Sequence, residues 1–379
     1  MHVPPGAAAE TLLPALAGVL EGREPALVAV GDDRESAALR AGLRVGETID
    51  DDVALVAATS GTTGTPKGAL LTAAALRASA AATHDRLGGP GSWLLALPPH
   101  HIAGVQVLVR SLLAGTSPVE MDVTGGFDET ELPRAIGALG PGRRYTSLVA
   151  AQLAKALADP GAAAALAELD AVLLGGGPAP RPVLDAAAMA GITVVRTYGM
   201  SETAGGCVYD GVPLAGVRLR VADGRIVIGG ATVAKGYRDP VDPDPFAEPG
   251  WFVTDDLGAI DGAGVLTVLG RADDAISTGG LTVLPQPVEA ALCSHAAVRD
   301  CAVFGVADER LGQRVVAAIV VHDGRAAPTL EALRAHVTRA LDATAAPREV
   351  HVVDALPRRG IGKVDRAALV RRFAGASDQ

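Results

Sequence analysis

Cysteine, aromatic side chains and positive charge are all scarce in this 379-residue chain, and each shortage closes off a class of function. The three cysteines, Cys207, Cys293 and Cys301, are odd in number and show no CxxC spacing. That excludes a zinc ribbon or a CxxC redox centre and fits buried thiols in a reducing compartment. Thirty-three basic residues against 43 acidic ones leave a net charge of −10, so the field that would gather nucleic acid or anionic lipid is missing. Apolar runs such as Val315 to Val321 stop far short of the roughly 18 residues of a bilayer span. The N-terminus has no positive leader, and Glu10 interrupts its apolar stretch, so a cytoplasmic protein without a stable membrane anchor is expected. Only 3% of residues are aromatic, yet 49% are hydrophobic and 20% charged, an ordinary globular balance. The length allows two or three compact units. Oligomeric state leaves no periodic mark in a sequence, and a homo-oligomer stays open.

Short β-branched runs alternate with alanine-rich stretches through the first 200 residues, the βα rhythm of a mostly parallel sheet covered on both faces. Strands are expected at Ala26 to Val30, Val53 to Ala58, Trp93 to Leu97, Pro118 to Met121, Tyr145 to Val149, Ala171 to Leu174 and Ile192 to Arg196. Helices are expected at Ala73 to Leu87, Ile102 to Leu113, Asp128 to Leu139 and Arg181 to Ala190. After about residue 210 closer strands take over, Val217 to Val221 and Arg225 to Ile228, joined by the tight turn Asp223-Gly224. The polar stretch Gly270-Arg271-Ala272-Asp273-Asp274 marks a boundary. The expected class is α/β: a large N-terminal domain, 1–272, with mixed and parallel sheets layered with helices plus an antiparallel β subdomain, then a small mobile α+β C-terminal domain, 273–379.

The most informative segment is Thr59-Ser60-Gly61-Thr62-Thr63-Gly64-Thr65-Pro66-Lys67-Gly68, directly after an apolar strand. Its glycines let backbone N–H groups approach a ligand closely, while four threonines, Ser60 and Lys67 add donors and one positive charge, as a polyphosphate requires. It is not a Walker A loop, because Pro66 and Gly68 flank the lysine where Gly and Ser or Thr are needed.

This loop resembles the phosphate loop of the adenylate-forming superfamily of acyl-CoA synthetases, luciferases and peptide-synthetase adenylation domains. Four further signatures come after it in the superfamily's order: Tyr198-Gly199-Met200-Ser201-Glu202-Thr203; Gly236-Tyr237 with Trp251-Phe252-Val253-Thr254-Asp255-Asp256-Leu257-Gly258, where Asp255 replaces the usual glycine; Gly270 to Asp274; and Gly362-Lys363-Val364-Asp365-Arg366. Together they span residues 59 to 366.

The resemblance implies an enzyme that uses ATP, Mg²⁺ and coenzyme A, joining an acid to a thiol through an acyl-adenylate. It implies that Ser60, Gly61, Thr62, Thr63, Gly64 and Lys67 cradle phosphate, and that Gly175, Gly176, Gly177 and Pro178 pack against adenine. Tyr198, Gly199, Met200 and Ser201 would border the nucleotide, with Asp256 taking the ribose hydroxyls and Arg271 nearby. Glu202, with Thr203 beside it, would hold Mg²⁺ while nucleotide phosphates complete the octahedron; by residue type alone it reads equally as a helix-start carboxylate capped by Ser201. Lys363, in the Gly360-Ile361-Gly362 loop, would stabilise the charge built as a carboxylate attacks the α-phosphorus. Rotation about Asp273 would then withdraw Lys363 and bring Gly279 and Gly280 to the pantetheine tunnel.

The acid is narrowed by three further stretches, Leu97 to Gln106, Tyr145 to Leu153 and Gly205 to Gly211. They resemble the actinobacterial type of o-succinylbenzoate–CoA ligase of menaquinone biosynthesis, with Ala150 and Ala151 replacing the usual Pro-Thr. The resemblance implies o-succinylbenzoate as substrate, with His101, Thr146, Ser147 and Gly205 along the acid and Arg110 a more distant donor. Another aryl or fatty acid, a carrier-protein thiol as acceptor, and a non-catalytic nucleotide-binding protein are the alternatives.

Overall fold

A computed structural model describes residues 8–28, 34–59, 67–359 and 363–374. Its centre is a seven-stranded sheet ordered Val119–Glu120, Ser92–Leu95, Arg144–Val149, Ala171–Gly175, Val194–Met200, Gly205–Tyr209, Val212–Pro213. The first five strands run parallel and the last two return antiparallel. Because side chains alternate across a strand, each run feeds two cores. Trp93, Leu95, Tyr145 and Leu173 face one core with helices Ala8–Leu20, Ala73–Leu87 and Ile102–Ala114. Leu94, Leu148, Val172 and Leu174 face the other, with Leu132–Gly137, Ala150–Ala158, Pro160–Ala167 and Arg181–Met189. Burial on both faces is why these strands read as continuous apolar runs.

Local chemistry sets several ends. The Thr72 hydroxyl caps helix Ala73–Leu87 by accepting from Ala75 N at 3.1 Å, and Gly88 ends it in the left-handed region. The Asp128 to Leu139 helix is shorter than expected: a 3₁₀ turn, Glu129–Glu131, precedes Leu132–Gly137. Pro133 has no N–H to donate, so it is tolerated only in the first turn of an α-helix, and the α-helix accordingly begins beside it.

Strand Val53–Thr59 departs from the parallel reading. It lies outside the main sheet and pairs antiparallel with Lys67–Thr72, so the phosphate-loop segment joins two strands of one ribbon. The ribbon's edges are occupied: Leu27 bridges Leu55 in parallel, and Ala69 bridges Tyr237. Of the strand expected at Ala26 to Val30, this bridge is the described part; residues 29 and 30 lie outside the described residues.

A four-stranded antiparallel sheet comes next, Val217–Ala222, Arg225–Gly230, Trp251–Ile260 and Leu266–Arg271. Asp223 and Gly224 both have positive φ, as a two-residue hairpin turn requires. The C-terminal part is an α+β unit: strands Ile276–Thr278, Leu281–Val283, Val298–Asp308, Gly312–Val321 and Glu349–Val352 form one sheet. Helices Pro285–Cys293 and Leu330–Thr338 lie on one face and Arg366–Phe373 on the other. Cys207 and Cys301 are buried, whereas Cys293 is partly exposed.

Candidate active site

In an open parallel sheet the chain leaves each strand at the same edge, and ligands bind there where the order of strands reverses. Here the reversal falls between Ser92–Leu95, which leads on to the edge strand Val119–Glu120, and its other neighbour Arg144–Val149. The carboxyl ends of the parallel strands therefore line up His101, at the start of helix Ile102–Ala114, Ser147, the Gly175-Gly176-Gly177-Pro178 turn, and the Met200-Ser201-Glu202-Thr203 turn. Gly175 is half-buried and Gly176, Gly177 and Pro178 are exposed there.

The Glu202 turn is fixed from three directions. Ser201 Oγ donates to Ala58 O at 3.1 Å, tying the turn to the strand that enters the phosphate-loop segment. Thr203 Oγ accepts from Met200 N at 3.0 Å and lies 2.8 Å from Gly205 O, so this hydroxyl is used within the turn itself. Gly199 admits no side chain, because a Cβ there would lie 2.1 Å from Gly205 O. Held this way, Glu202 is 8% exposed, and Oε1 accepts a 2.7 Å hydrogen bond from the Tyr237 hydroxyl. Burial pushes the Glu202 carboxyl above its usual range, opposed by Tyr237 and by the charges of Lys363 and Lys67. The Lys67 ammonium lies 5.3 Å from the centre of the Tyr237 ring. Tyr237 thus joins the carboxylate to the lysine, a role that the sequence does not signal, although the Gly236-Tyr237 pair stands out in it.

A second constellation sits on the antiparallel sheet. Asp256 Oδ2 accepts from the Tyr198 hydroxyl at 2.7 Å, and Arg271, its cross-strand partner, lies 3.8 Å from Oδ1. Burial raises the Asp256 carboxyl, while Tyr198, Arg271 and Lys363 oppose the rise. Arg271 is turned mainly to Asp273, with both contacts at 2.7 Å, and that ion pair pushes the guanidinium pKa higher still. The expected ribose carboxylate and the expected hinge residue therefore share one arginine.

Along the sheet edge, burial lowers the His101 imidazole to about 4, with His100 and Lys363 adding to the effect, so the ring is neutral at pH 7. Ser147 shares the sheet face of Tyr145, the face on which the His101 helix packs. Thr146 points to the other face, fully buried, and donates to Leu94 O at 3.0 Å. Gly205 leaves room for Gln106, whose Cγ would lie 3.1 Å from a Cβ placed there. One helical turn beyond, Arg110 is 3% exposed, 4.9 Å from the Trp93 ring centre and 3.5 Å from the Tyr209 hydroxyl. Its Nε has no hydrogen-bond partner, and among the described residues its buried charge is influenced by Tyr209 and by no carboxylate.

Lys363 lies in a two-stranded ribbon, Arg358–Arg359 against Lys363–Val364. It is exposed, and its charge bears on Glu202, Asp256 and His101, so this ribbon faces the site. Gly279 and Gly280 form the turn between Ile276–Thr278 and Leu281–Val283, at the edge of the C-terminal sheet. Ser60, Gly61, Thr62, Thr63, Gly64, Thr65 and Pro66, and the Gly360-Ile361-Gly362 loop, lie outside the described residues.

The residues present suit one Mg²⁺ brought by a nucleotide. A single buried carboxylate with a raised pKa gains from a cation, and among the described residues no group of three or more His, Cys, Asp or Glu side chains could hold a metal.

Residues 24–238 match the AMP-binding enzyme family, and residues 287–363 match the AMP-binding enzyme C-terminal domain. The chain is 78% identical over 382 residues to a probable 2-succinylbenzoate–CoA ligase of Mycobacterium tuberculosis, covering 100% of this chain and 99% of that one. A 2-succinylbenzoate–CoA ligase of a Geobacillus strain is 37% identical over 346 residues, 84% of this chain and 69% of the relative. Among solved structures, o-succinylbenzoate CoA synthetase from Bacillus subtilis in complex with its acyl-adenylate intermediate superposes with a TM-score of 0.74 at 27% identity, covering 94% of this chain and 80% of that one. The same synthetase in complex with ATP and magnesium gives 0.70 at 30% identity, with 85% and 72% covered.

Proposed function

The chain belongs to the AMP-binding enzyme family, and from that premise we propose that it is an ATP-dependent 2-succinylbenzoate–CoA ligase that works through an acyl-adenylate. The observation that carries the reading is the gathering of Tyr237 and Lys67 on Glu202, which follows the carboxyl end of strand Val194–Met200, with Lys363 facing them. A carboxylate oxygen of the acid attacks the α-phosphorus of ATP, the acyl–phosphate bond forms, and pyrophosphate leaves. The thiol of coenzyme A then attacks the acyl carbon, and AMP departs with the carboxyl oxygen.

Lys363 stabilises the negative charge shared by the attacking carboxylate and the phosphoryl oxygens, an effect that is strongest in a site shielded from water. Lys67, with the Ser60 to Gly64 loop, holds the phosphates. Bound Mg²⁺ supplies charge neutralisation on the phosphate oxygens, and Glu202 is the side chain that would hold it. Thr203 and Ser201 orient that carboxylate. Asp256 receives the ribose hydroxyls, with Tyr198 and Arg271 fixing its two oxygens. Gly175 to Pro178, Gly199 and Met200 border the base.

For the acid, His101, Ser147 and Gly205 line the reacting end, and Thr146 supports the strand from behind. Arg110 answers the second, unreacting carboxylate, since a buried guanidinium without an anionic partner is costly until one arrives. A division at 1–272 and 273–379, with rotation about Asp273, lets Lys363 leave and Gly279-Gly280 enter for thiolysis. Chemistry on a soluble acid and thiol fits a cytoplasmic enzyme supplying menaquinone biosynthesis; among the described residues no helix is long and apolar enough to cross a membrane.

The test is pyrophosphate release with o-succinylbenzoate, benzoate and a medium-chain fatty acid. Strong preference for o-succinylbenzoate is expected. Preference for another acid would keep the chemistry and overturn the substrate, and no release with any acid would favour a non-catalytic protein.

A further inference from the structure

Two of the three cysteines, separated by eight positions in the chain, meet in the folded protein. Cys293 ends helix Pro285–Cys293, Cys301 lies in strand Val298–Asp308, and their sulfurs are 3.3 Å apart with no bond between them. Cys293 is the more accessible, while Cys301 is buried in the core beneath the helix. A disulfide bond is roughly 2.05 Å long, so closure would bring the two sulfurs about 1.2 Å closer together.

The surroundings connect this pair to the ribbon that carries Lys363. Glu289, one helical turn before Cys293, takes Arg366 Nη2 at 2.6 Å and Val303 N at 2.8 Å, and its main-chain oxygen accepts from the Cys301 thiol at 3.4 Å. Asp300, the neighbour of Cys301, takes Arg358 Nη2 at 2.5 Å. Arg358 and Arg366 bracket Lys363 in the chain, so both ends of its ribbon are seated on residues beside the two thiols. Arg366 also lies 3.3 Å from Asp274, next to the proposed hinge.

We propose that Cys293 and Cys301 form a dithiol redox site, which a peroxide converts to an intramolecular disulfide that shifts the seat of the Lys363 ribbon and slows adenylation. The sulfur of Cys293, as thiolate, attacks a peroxide oxygen; the O–O bond breaks, a sulfenic acid forms and water leaves after protonation. Cys301 then attacks the Cys293 sulfur, the S–S bond forms, the S–O bond breaks, and a second water departs with the Cys301 proton. Two thiols are oxidised by two electrons and one peroxide is reduced to two waters. Closure removes the thiol proton that Glu289 O accepts and draws the helix end toward the strand, moving the carboxylate that holds Arg366.

The coupling to adenylation rests on the role proposed for Lys363, whereas the disulfide itself does not, and the two are read separately. The full chain is treated with hydrogen peroxide, alkylated, and digested with trypsin without reductant. Cleavage at Arg271, Arg299 and Arg310 puts Cys293 in residues 272–299 and Cys301 in residues 300–310. The expected result is one species joining the two peptides, which dithiothreitol separates, while fully buried Cys207 remains alkylatable after denaturation. Two separate peptides, with both cysteines alkylated or with Cys301 alkylated and Cys293 carried on to sulfinic acid, would overturn the site. In parallel, pyrophosphate exchange by the oxidised protein should fall several-fold, recover with reductant, and be insensitive to peroxide in Cys293→Ser. A cross-linked protein with unchanged exchange would overturn the coupling.

Discussion

Tyr237→Phe isolates one oxygen in the site. The ring stays, so Lys67 keeps its aromatic partner 5.3 Å away, but Glu202 loses a 2.7 Å hydrogen bond. A hydrogen bond to a charged group is worth about 1.5–3 kcal/mol, and more of that is felt where the acceptor is buried, as Glu202 is at 8% exposure. Because that hydrogen bond is made to the ionised form, its loss should push the Glu202 carboxyl higher. The sign comes from the environment: burial already raises this group, and Tyr237 is the first influence that opposes it. Removing that influence raises it further, so the ionised form disappears at a higher pH. The assay is kcat/KM for ATP in pyrophosphate exchange between pH 5 and 9, which reports the free enzyme. The acid limb should move to higher pH while the alkaline plateau holds. An unmoved midpoint with a lowered plateau would refute the claim that the hydroxyl acts through Glu202 ionisation.

The same geometry sets three other outcomes. Lys363→Ala should cut adenylation by about 10²–10³-fold, as loss of one transition-state donor does, and largely spare thiolysis of preformed adenylate; equal loss of both, in half-reaction assays, would contradict the two-orientation account. Arg110→Met should cost about 2 kcal/mol, roughly 30-fold in kcat/KM, for o-succinylbenzoate but little for benzoate, and should not lower the thermal midpoint, because it removes an unpaired buried charge. His101 carries a pKa depressed to about 4, so its contribution to stability is full above the unfolded value near 6.5 and is lost as pH falls from there toward 4. Urea unfolding at pH 7.5 and pH 5 should show a loss of about 2 kcal/mol that His101→Gln escapes.

How much of this was legible depends on the range of the interaction. Helix Ala73–Leu87 has the limits read from its composition, since Thr72 and Gly88 bound it locally. The Asp223-Gly224 hairpin was equally readable, because two positive φ angles need a short polar pair. Strand Trp251–Ile260 shows in the sequence as a motif and not as a strand; its Asp255-Asp256 pair resembles a loop until Leu266–Arg271 pairs beside it. Lys67–Thr72 carries no strand signal of its own, because only its pairing with Val53–Thr59 and with Tyr237 makes it one. In the site, motifs gave Glu202, Asp256 and Lys363, but the partners that set their charge come from elsewhere in the chain. Tyr237 reaches Glu202 across 35 positions and Tyr198 reaches Asp256 across 58. No local pattern signals such contacts. Cys293 and Cys301 show the same limit, since a spacing of eight carries no motif and only the packing of a helix end on a strand brings them together.

The central claim is a two-step reaction through an acyl-adenylate, and it is tested most directly by order of addition. Enzyme, ATP, Mg²⁺ and o-succinylbenzoate without coenzyme A, quenched and measured by mass, should yield o-succinylbenzoyl adenylate and pyrophosphate, and later addition of coenzyme A should convert the adenylate to thioester and AMP. Formation of ADP and phosphate, or thioester arising without any adenylate, would contradict it.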